Sequence, residues 1–170
     1  MATSRVEQYL KIIYQEQQRG SSKVVQMKQL ADAMDVTPGT ATTMVKYLDK
    51  HGYLKYIPRK GVELLHPGRA VALTIVRRHR LIETFLEQVL GYDWTEVHQE
   101  AEQLEHAVSE LFVERLDDYL GRPTADPHGD PIPNAEGEIQ HRPSHLLTEA
   151  AQESTVRIVR LREDSREILD

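Results

Sequence analysis

Apolar residues recur at helical spacing near the start of the chain. Val6, Tyr9, Leu10, Ile12 and Ile13 fall on one stripe, which predicts an amphipathic helix over 4–19, ended by Gly20-Ser21-Ser22. A short second helix is predicted over 27–34, with Met27, Leu30, Ala31 and Met34 on one face. Asp35-Val36-Thr37 then leads into Pro38, which suits a first helical turn because its missing N–H is not needed there, and Thr37 can cap that turn. The third helix runs to about Lys50, with Ala41, Met44, Val45 and Leu48 on its apolar stripe, and Gly52 stops it. Two β-prone runs, 53–57 and 62–65, flank the turn Pro58-Arg59-Lys60-Gly61 and predict a hairpin. Helix, helix, turn, helix and hairpin make a winged helix-turn-helix.

After Pro67-Gly68 the pattern changes to long apolar-rich stretches. A helix is predicted over 69–90, ended by Gly91, and another over 95–120, capped by Thr95. Residues 121–138 hold repeated prolines and glycines and are read as a linker or an ordered irregular loop. Beyond it, 144–154 is weakly helical, Val156, Ile158 and Leu161 suggest one strand, and Asp164 starts a last helix. The fold class is therefore mainly α: a winged helix-turn-helix domain (1–74), a helical domain (75–140) and a short β-containing tail (141–170). Leu81, Phe85, Leu86, Leu111 and Phe112 offer more apolar surface than a DNA module of this size needs, which predicts a dimer seam.

Charge divides the chain along the same line. Residues 1–80 hold 14 Lys and Arg against 6 Asp and Glu, whereas 81–170 hold 7 against 21, so a net −6 hides a basic and an acidic half. A basic helix-turn-helix points to double-stranded DNA. In that motif the second helix of the pair enters the major groove and nearby cations meet phosphates. Thr37, Gly39, Thr40, Thr42 and Thr43 are the groove candidates, and Lys28, Lys46, Arg59 and Lys60 the backbone candidates. The competing reading is a small interaction module whose lysines form a solvated face. The chain has no cysteine, which excludes disulfides and thiolate ligands, and no apolar run long enough for a membrane span. The N-terminal stretch has no contiguous apolar secretory core, so a cytoplasmic protein is expected.

The acidic half carries metal-capable groups at helical spacing: His79-x3-Glu83, then His98-x3-Glu102-x2-Glu105-His106. On an ideal helix, with His98 at zero, Glu102 falls near +40°, Glu105 near −20° and His106 near +80°, all on one stripe beside the apolar seam. Half-buried carboxylates need a cation. Nitrogen and oxygen ligands without sulfur suit Mn(II), Fe(II), Co(II), Ni(II) or Zn(II), and a carboxylate-rich set leans toward the harder ions. Ion pairs with Arg77, Arg78 and Arg80 are the structural alternative. His51, His66, His128, His141 and His145 have no partners at comparable spacing along the chain.

Taken together, EQYLKIIY (7–14), the winged domain through Leu65, RRHRLIETFL (77–86), VHQEAEQLEH (97–106) and PHGDPIP (127–133) resemble the metal-dependent transcriptional regulators typified by the diphtheria toxin repressor and the manganese transport regulator. The resemblance covers residues 5–140. It implies a non-enzymatic homodimer that binds a palindromic operator when a divalent metal is present and represses genes of metal uptake or storage. By position it implies one metal site of His79, Glu83 and His98 and another of Glu102, Glu105 and His106, with Gln8 as the amino-terminal ligand. Iron-responsive members usually have cysteine at the place of Glu102 and manganese-responsive ones glutamate, so Mn(II) is expected over Fe(II). Lys11 stands where the compact manganese group has a glutamate ligand, which argues against a closely bridged two-metal cluster. STVRIVRLRED (154–164) resembles the start of the family's SH3-like third domain.

Two other classes compete with this reading. A metalloenzyme would use the same carboxylates and histidines as a di-metal centre, and a metal-independent DNA-binding dimer would use the acidic half for assembly alone. Only the metal-activated repressor requires that metal tighten DNA binding without turnover.

Overall fold

The computed structural model describes residues 3–20, 22–140, 143–144 and 146–160. Its contacts divide the chain into two compact units, Met1–Ile75 and Val76–Asp170.

The first unit holds α1 (Ser4–Arg19), α2 (Met27–Ala33), α3 (Pro38–Lys50), β1 (Leu54–Ile57), β2 (Gly61–Leu64) and the first turns of α4 (His66–Gln88). The Thr3 side chain caps α1 by accepting from Val6 N, and the helix buries Val6, Tyr9, Leu10 and Ile13. The Thr37 hydroxyl accepts from Thr40 N at 3.2 Å and Pro38 opens α3, so the cap and the missing N–H act as the local chemistry requires. Ala41, Val45 and Leu48 are fully buried, whereas Met44 is only half-buried. β1 and β2 pair antiparallel, Leu54 opposite Leu64 and Ile57 opposite Gly61, and Val25 bridges to Val62 on the outer edge of β2. Gly61 is demanded here. Its φ is +143°, and a Cβ at that position would lie 2.0 Å from the Val25 carbonyl oxygen.

α4 begins earlier than the Pro67-Gly68 pair suggested. Proline is favoured in the first turn of a helix, and Arg69 N closes that turn on Leu65 O at 2.9 Å. The predicted helix over 95–120 is two helices, α5 (Val97–Leu104) and α6 (Glu110–Tyr119). Ala107 N folds back to Leu104 O, and the Ser109 hydroxyl caps α6 by accepting from Phe112 N at 3.2 Å. Thr95 caps nothing: its N–H and hydroxyl both donate to Asp93 Oδ1, and α5 starts two residues later.

The second unit packs Leu81, Ile82 and Leu86 of α4 against Val97 and Ala101 of α5, Val113 and Leu116 of α6, and Ile132. Leu81 and Leu86 are therefore spent on the chain's own core and are unavailable to a dimer seam, Phe85 packs beside that core, and Leu111 and Phe112 stay exposed. Residues 121–138 form an ordered irregular loop. Ala125 bridges to Pro131, while Arg77 and Arg80 of α4 donate to the carbonyls of Pro133 (2.7 Å) and Pro131 (2.5 Å). In the tail, 144–154 contains only one 3-10 turn, η1 (Leu147–Glu149). Val156 and Ile158 are not in a strand, and the backbone of Val159 and Arg160 instead packs against Gly129, where a Cβ would lie 2.0 Å from Val159 O. Leu161 and the helix expected from Asp164 lie outside the described residues. Among the described residues, no helix is long and apolar enough to cross a membrane.

Candidate metal centre and nucleic-acid interface

Glu83 is the hub of the second unit. It lies one helical turn after His79 on α4, and both side chains point away from water. Glu83 Oε1 is 2.9 Å from His79 Nε2 and 3.2 Å from His98 Nδ1, and those two ring nitrogens are 3.1 Å apart. Its other oxygen, Oε2, faces His128 Nδ1 at 4.0 Å, with Asp126 beside it. Two groups of possible ligands therefore share one carboxylate: His79, Glu83 and His98, and Glu83, Asp126 and His128. In each, one ligand atom per residue lies within 4.8 Å of the others.

The surrounding hydrogen bonds orient these ligands. The 2.5 Å contact between His79 Nδ1 and Glu105 Oε2 holds the ring so that its other nitrogen, Nε2, faces Glu83 and His98. A carbonyl only accepts, so His128 Nε2 donates to Trp94 O at 3.0 Å and leaves Nδ1 facing Glu83. Asp126 Oδ1 accepts from the backbone N–H groups of His128 and Asp130, both at 2.9 Å, which curls the loop around the carboxylate. Arg80 approaches Asp126 Oδ2 at 3.5 Å from α4.

Electrostatics separate the two carboxyls. Burial pushes Glu83 up, but hydrogen bonds from His79 and His98 and the charges of His79 and His128 outweigh it and hold the group below the usual carboxylate range. Burial, then repulsion from Glu83, pushes Asp126 up to about 6 despite Arg80. Two buried acids facing converging imidazole nitrogens suit a divalent transition ion. Such an ion takes nitrogen and oxygen ligands and would relieve the repulsion between Glu83 and Asp126.

The remaining expected ligands sit differently. Glu105 is fully buried at the end of α5, with Oε1 3.3 Å from His106 Nε2 and Oε2 on His79. His106 lies in the turn after α5, so the ideal-helix stripe does not extend to it. Glu102 is exposed, 3.8 Å from His98 Nε2. Among the described residues, Glu102, Glu105 and His106 do not close into a three-ligand group. Gln8 is half-buried on α1 of the first unit, and the two groups draw only on the second. Sequence spacing missed Asp126 and His128, because their partner Glu83 is more than forty residues away. The available signal was an acid and a histidine two residues apart in a proline-rich loop.

In the first unit, Thr37, Gly39, Thr40 and Thr43 lie exposed along α3 and Thr42 is half-buried. Lys28 on α2, Lys46 on α3, and Arg59 and Lys60 at the hairpin tip are exposed. Arg59 takes a φ of +64°, the left-handed conformation of the turn between β1 and β2.

These features define a winged helix-turn-helix protein with a helical unit lined by buried carboxylates and imidazoles. Residues 1–62 match the iron-dependent repressor N-terminal DNA-binding domain, and 66–134 match the iron-dependent repressor metal-binding and dimerisation domain. The chain is 34% identical over 121 residues to the HTH-type transcriptional regulator MntR of Shouchella clausii, spanning 71% of this chain and 82% of that one. It is 36% identical over 127 residues to the iron-dependent repressor IdeR of Mycobacterium tuberculosis, covering 75% of this chain and 54% of that protein's length. A solved manganese-dependent transcriptional repressor in complex with manganese superposes with a TM-score of 0.85 at 41% identity, over 96% of this chain and 75% of that one. The chain belongs to the family of metal-dependent, DNA-binding transcriptional repressors that includes the diphtheria toxin, iron-dependent and manganese-responsive regulators. It spans about half the length of the iron-dependent repressors it matches.

Proposed function

We propose that this protein is a divalent-metal-activated repressor that binds double-stranded operator DNA as a homodimer and controls genes of metal homeostasis, acting in the cytoplasm. Residues 1–74 bind DNA, 75–140 bind metal and dimerise, and 141–170 form a tail. The observation that carries this reading is the doubly shared Glu83: a buried carboxylate with histidines on both sides, in a chain whose other unit is a helix-turn-helix. His79, Glu83 and His98 hold one ion, and Glu83, Asp126 and His128 offer a second position on the same carboxylate. Glu105 fixes the His79 imidazole and, with Glu102 and His106, extends the ligand set along the end of α5. The ion supplies the positive charge that lets these acids stay ionised together.

Mn(II) is the preferred effector over Fe(II). The donor set is oxygen-rich and free of sulfur, and Glu102 is a hard ligand. Thr37, Gly39, Thr40, Thr42 and Thr43 face the major groove, and Lys28, Lys46, Arg59 and Lys60 meet phosphates. Leu111 and Phe112, exposed on α6, belong to the homodimer seam. A mobility-shift titration of the chain with its own promoter region, under chelator and under Mn(II), Fe(II) and Zn(II), tests the reading. Mn(II) should tighten binding most, with no turnover of the DNA. Equal affinity under chelator and metal would leave a metal-independent DNA-binding dimer.

A further inference from the structure

The two ligand groups that share Glu83 meet water differently. In the first, the His98 side chain is 41% exposed and the exposed Glu102 stands beside it, so one edge of the group lies at the surface of α5. In the second, all three ligands are buried, His128 at 9% exposure, Asp126 at 8% and Glu83 at 2%. A cation can reach that group only if one of the three side chains moves.

The contacts decide which one moves. Glu83 stands on α4 with imidazoles on both sides. Asp126 is held at both oxygens, Oδ1 by the N–H groups of His128 and Asp130 and Oδ2 by Arg80. The His128 ring is held by less: one hydrogen bond, from Nε2 to the Trp94 carbonyl at 3.0 Å, and the Trp94 ring, whose centroid lies 5.5 Å away at an interplanar angle of 56°. Outward rotation of the His128 ring therefore breaks one hydrogen bond and displaces one aromatic ring. Trp94 is well placed to resist that rotation. It sits in a tight connection between α4 and α5, where Tyr92 N donates to Leu86 O at 3.0 Å, Glu96 N donates to Asp93 O at 2.8 Å, and Asp93 Oδ1 accepts from both the N–H and the hydroxyl of Thr95. The apolar core of the unit is built without the Trp94 indole, which is half-buried against His128.

We propose that Trp94 is a gate on the second ligand group, so that the two positions on Glu83 exchange metal at different rates. His79, Glu83 and His98 load and empty quickly, whereas Glu83, Asp126 and His128 load slowly and retain their ion. This rests on the reading of Glu83 as a shared metal ligand. The first position follows the ambient metal concentration, and the second keeps the repressor loaded after that concentration falls. Trp94 is a positioning residue: it acts through His128.

The test is rapid mixing of the metal-free full chain with Mn(II), the free ion being followed by a fluorescent chelator, and the reverse transfer of the loaded chain into excess EDTA. Loading and release should each show a fast and a slow phase. His98→Ala should remove the fast phase and His128→Ala the slow one. Trp94→Ala keeps the backbone carbonyl and removes the ring, so slow loading and slow release should both accelerate by about three- to tenfold, the worth of one aromatic contact in the barrier. Their ratio, the dissociation constant, should stay within about twofold, because a gate lowers a barrier without altering its two ends. Trp94→Phe, which keeps a smaller ring and preserves the fold, should accelerate both by a smaller factor. Loading in a single phase, a slow phase that neither Trp94 variant accelerates, or a weakened affinity with loading no faster would each overturn the proposal. Both phases intact in Glu83→Gln would instead overturn the shared-carboxylate reading on which it rests.

Discussion

The two units keep their polar chemistry in opposite places. In Met1–Ile75 the residues assigned to DNA lie at the surface: Lys28, Thr37, Gly39, Thr40, Thr43, Lys46, Arg59 and Lys60 are exposed and Thr42 is half-buried. In Val76–Asp170 most of the residues assigned to metal are inside: His79, Glu83, Glu105, Asp126 and His128 are buried, His98 and His106 are half-buried, and Glu102 is exposed. A polyanion is met by solvated cations that need no partner until it arrives. A small cation is held by ligands that must already be oriented, and those ligands carry a standing electrostatic cost. Single substitutions should therefore have large effects in the second unit and small, additive ones in the first.

The strongest break of that contrast is Glu83→Gln. It removes the charge shared by both ligand groups, so Mn(II) affinity should fall by more than about 100-fold, beyond the cost of losing an outer partner of a ligand. Trp94 is the chain's single tryptophan and its ring lies 5.5 Å from the His128 ring, so its fluorescence reports binding directly. A Glu83→Gln protein with wild-type Mn(II) affinity would show that the buried carboxylate is structural. Next in size is Glu105→Ala, which removes the acceptor facing His79 Nδ1 and should cost about 10- to 100-fold in affinity. Nitrogen-15 imidazole shifts of His79 should report the lost partner.

Acidity sharpens the comparison further. Because Asp126 is raised to about 6 from an ordinary 3.8, the folded protein holds its proton more tightly than the unfolded chain. Its contribution to stability is full below pH 3.8 and is lost as pH rises through 6, a change on the order of 3 kcal/mol. Glu83 has the opposite sign, since its lowered pKa contributes stability above about 4.5 that is lost as pH falls below its folded value. Asp126→Asn should accordingly stabilise the chelated protein at pH 7.5 but not at pH 4, as read by urea denaturation. Mn(II) affinity of the wild type should fall as pH drops through 6, because protons then compete for Asp126. The smallest effects belong to the first unit. Lys46→Ala and Lys60→Ala should each weaken every DNA sequence alike and reduce the slope of log affinity against log salt by about one.

The same contrast explains what could be read in advance. α1, α2, α3 and the hairpin announce themselves by local chemistry: the Thr37-Pro38 cap, the apolar stripe of Ala41, Val45 and Leu48, and Gly61 at the turn. Local signals also placed His79, Glu83 and His98, which lie at turn spacing or on packed helix faces. The break between α5 and α6 was hidden because no glycine or proline marks it, and only Ser109 as a cap betrays it. Asp126 and His128 were hidden for a different reason. They reach Glu83 through an irregular loop fastened by Arg77 and Arg80, and such a closure leaves no periodic trace in the chain.

The central claim is that metal in the second unit and DNA on the first are thermodynamically coupled, and coupling is reciprocal. The decisive measurement is the Mn(II) dissociation constant from Trp94 fluorescence, taken with and without a saturating promoter duplex, beside the duplex dissociation constant with and without Mn(II). Both ratios should be equal and well above one, on the order of 10-fold or more. A ratio of one for both, with Mn(II) still bound at Glu83, would contradict the account and leave two independent binding units in one chain.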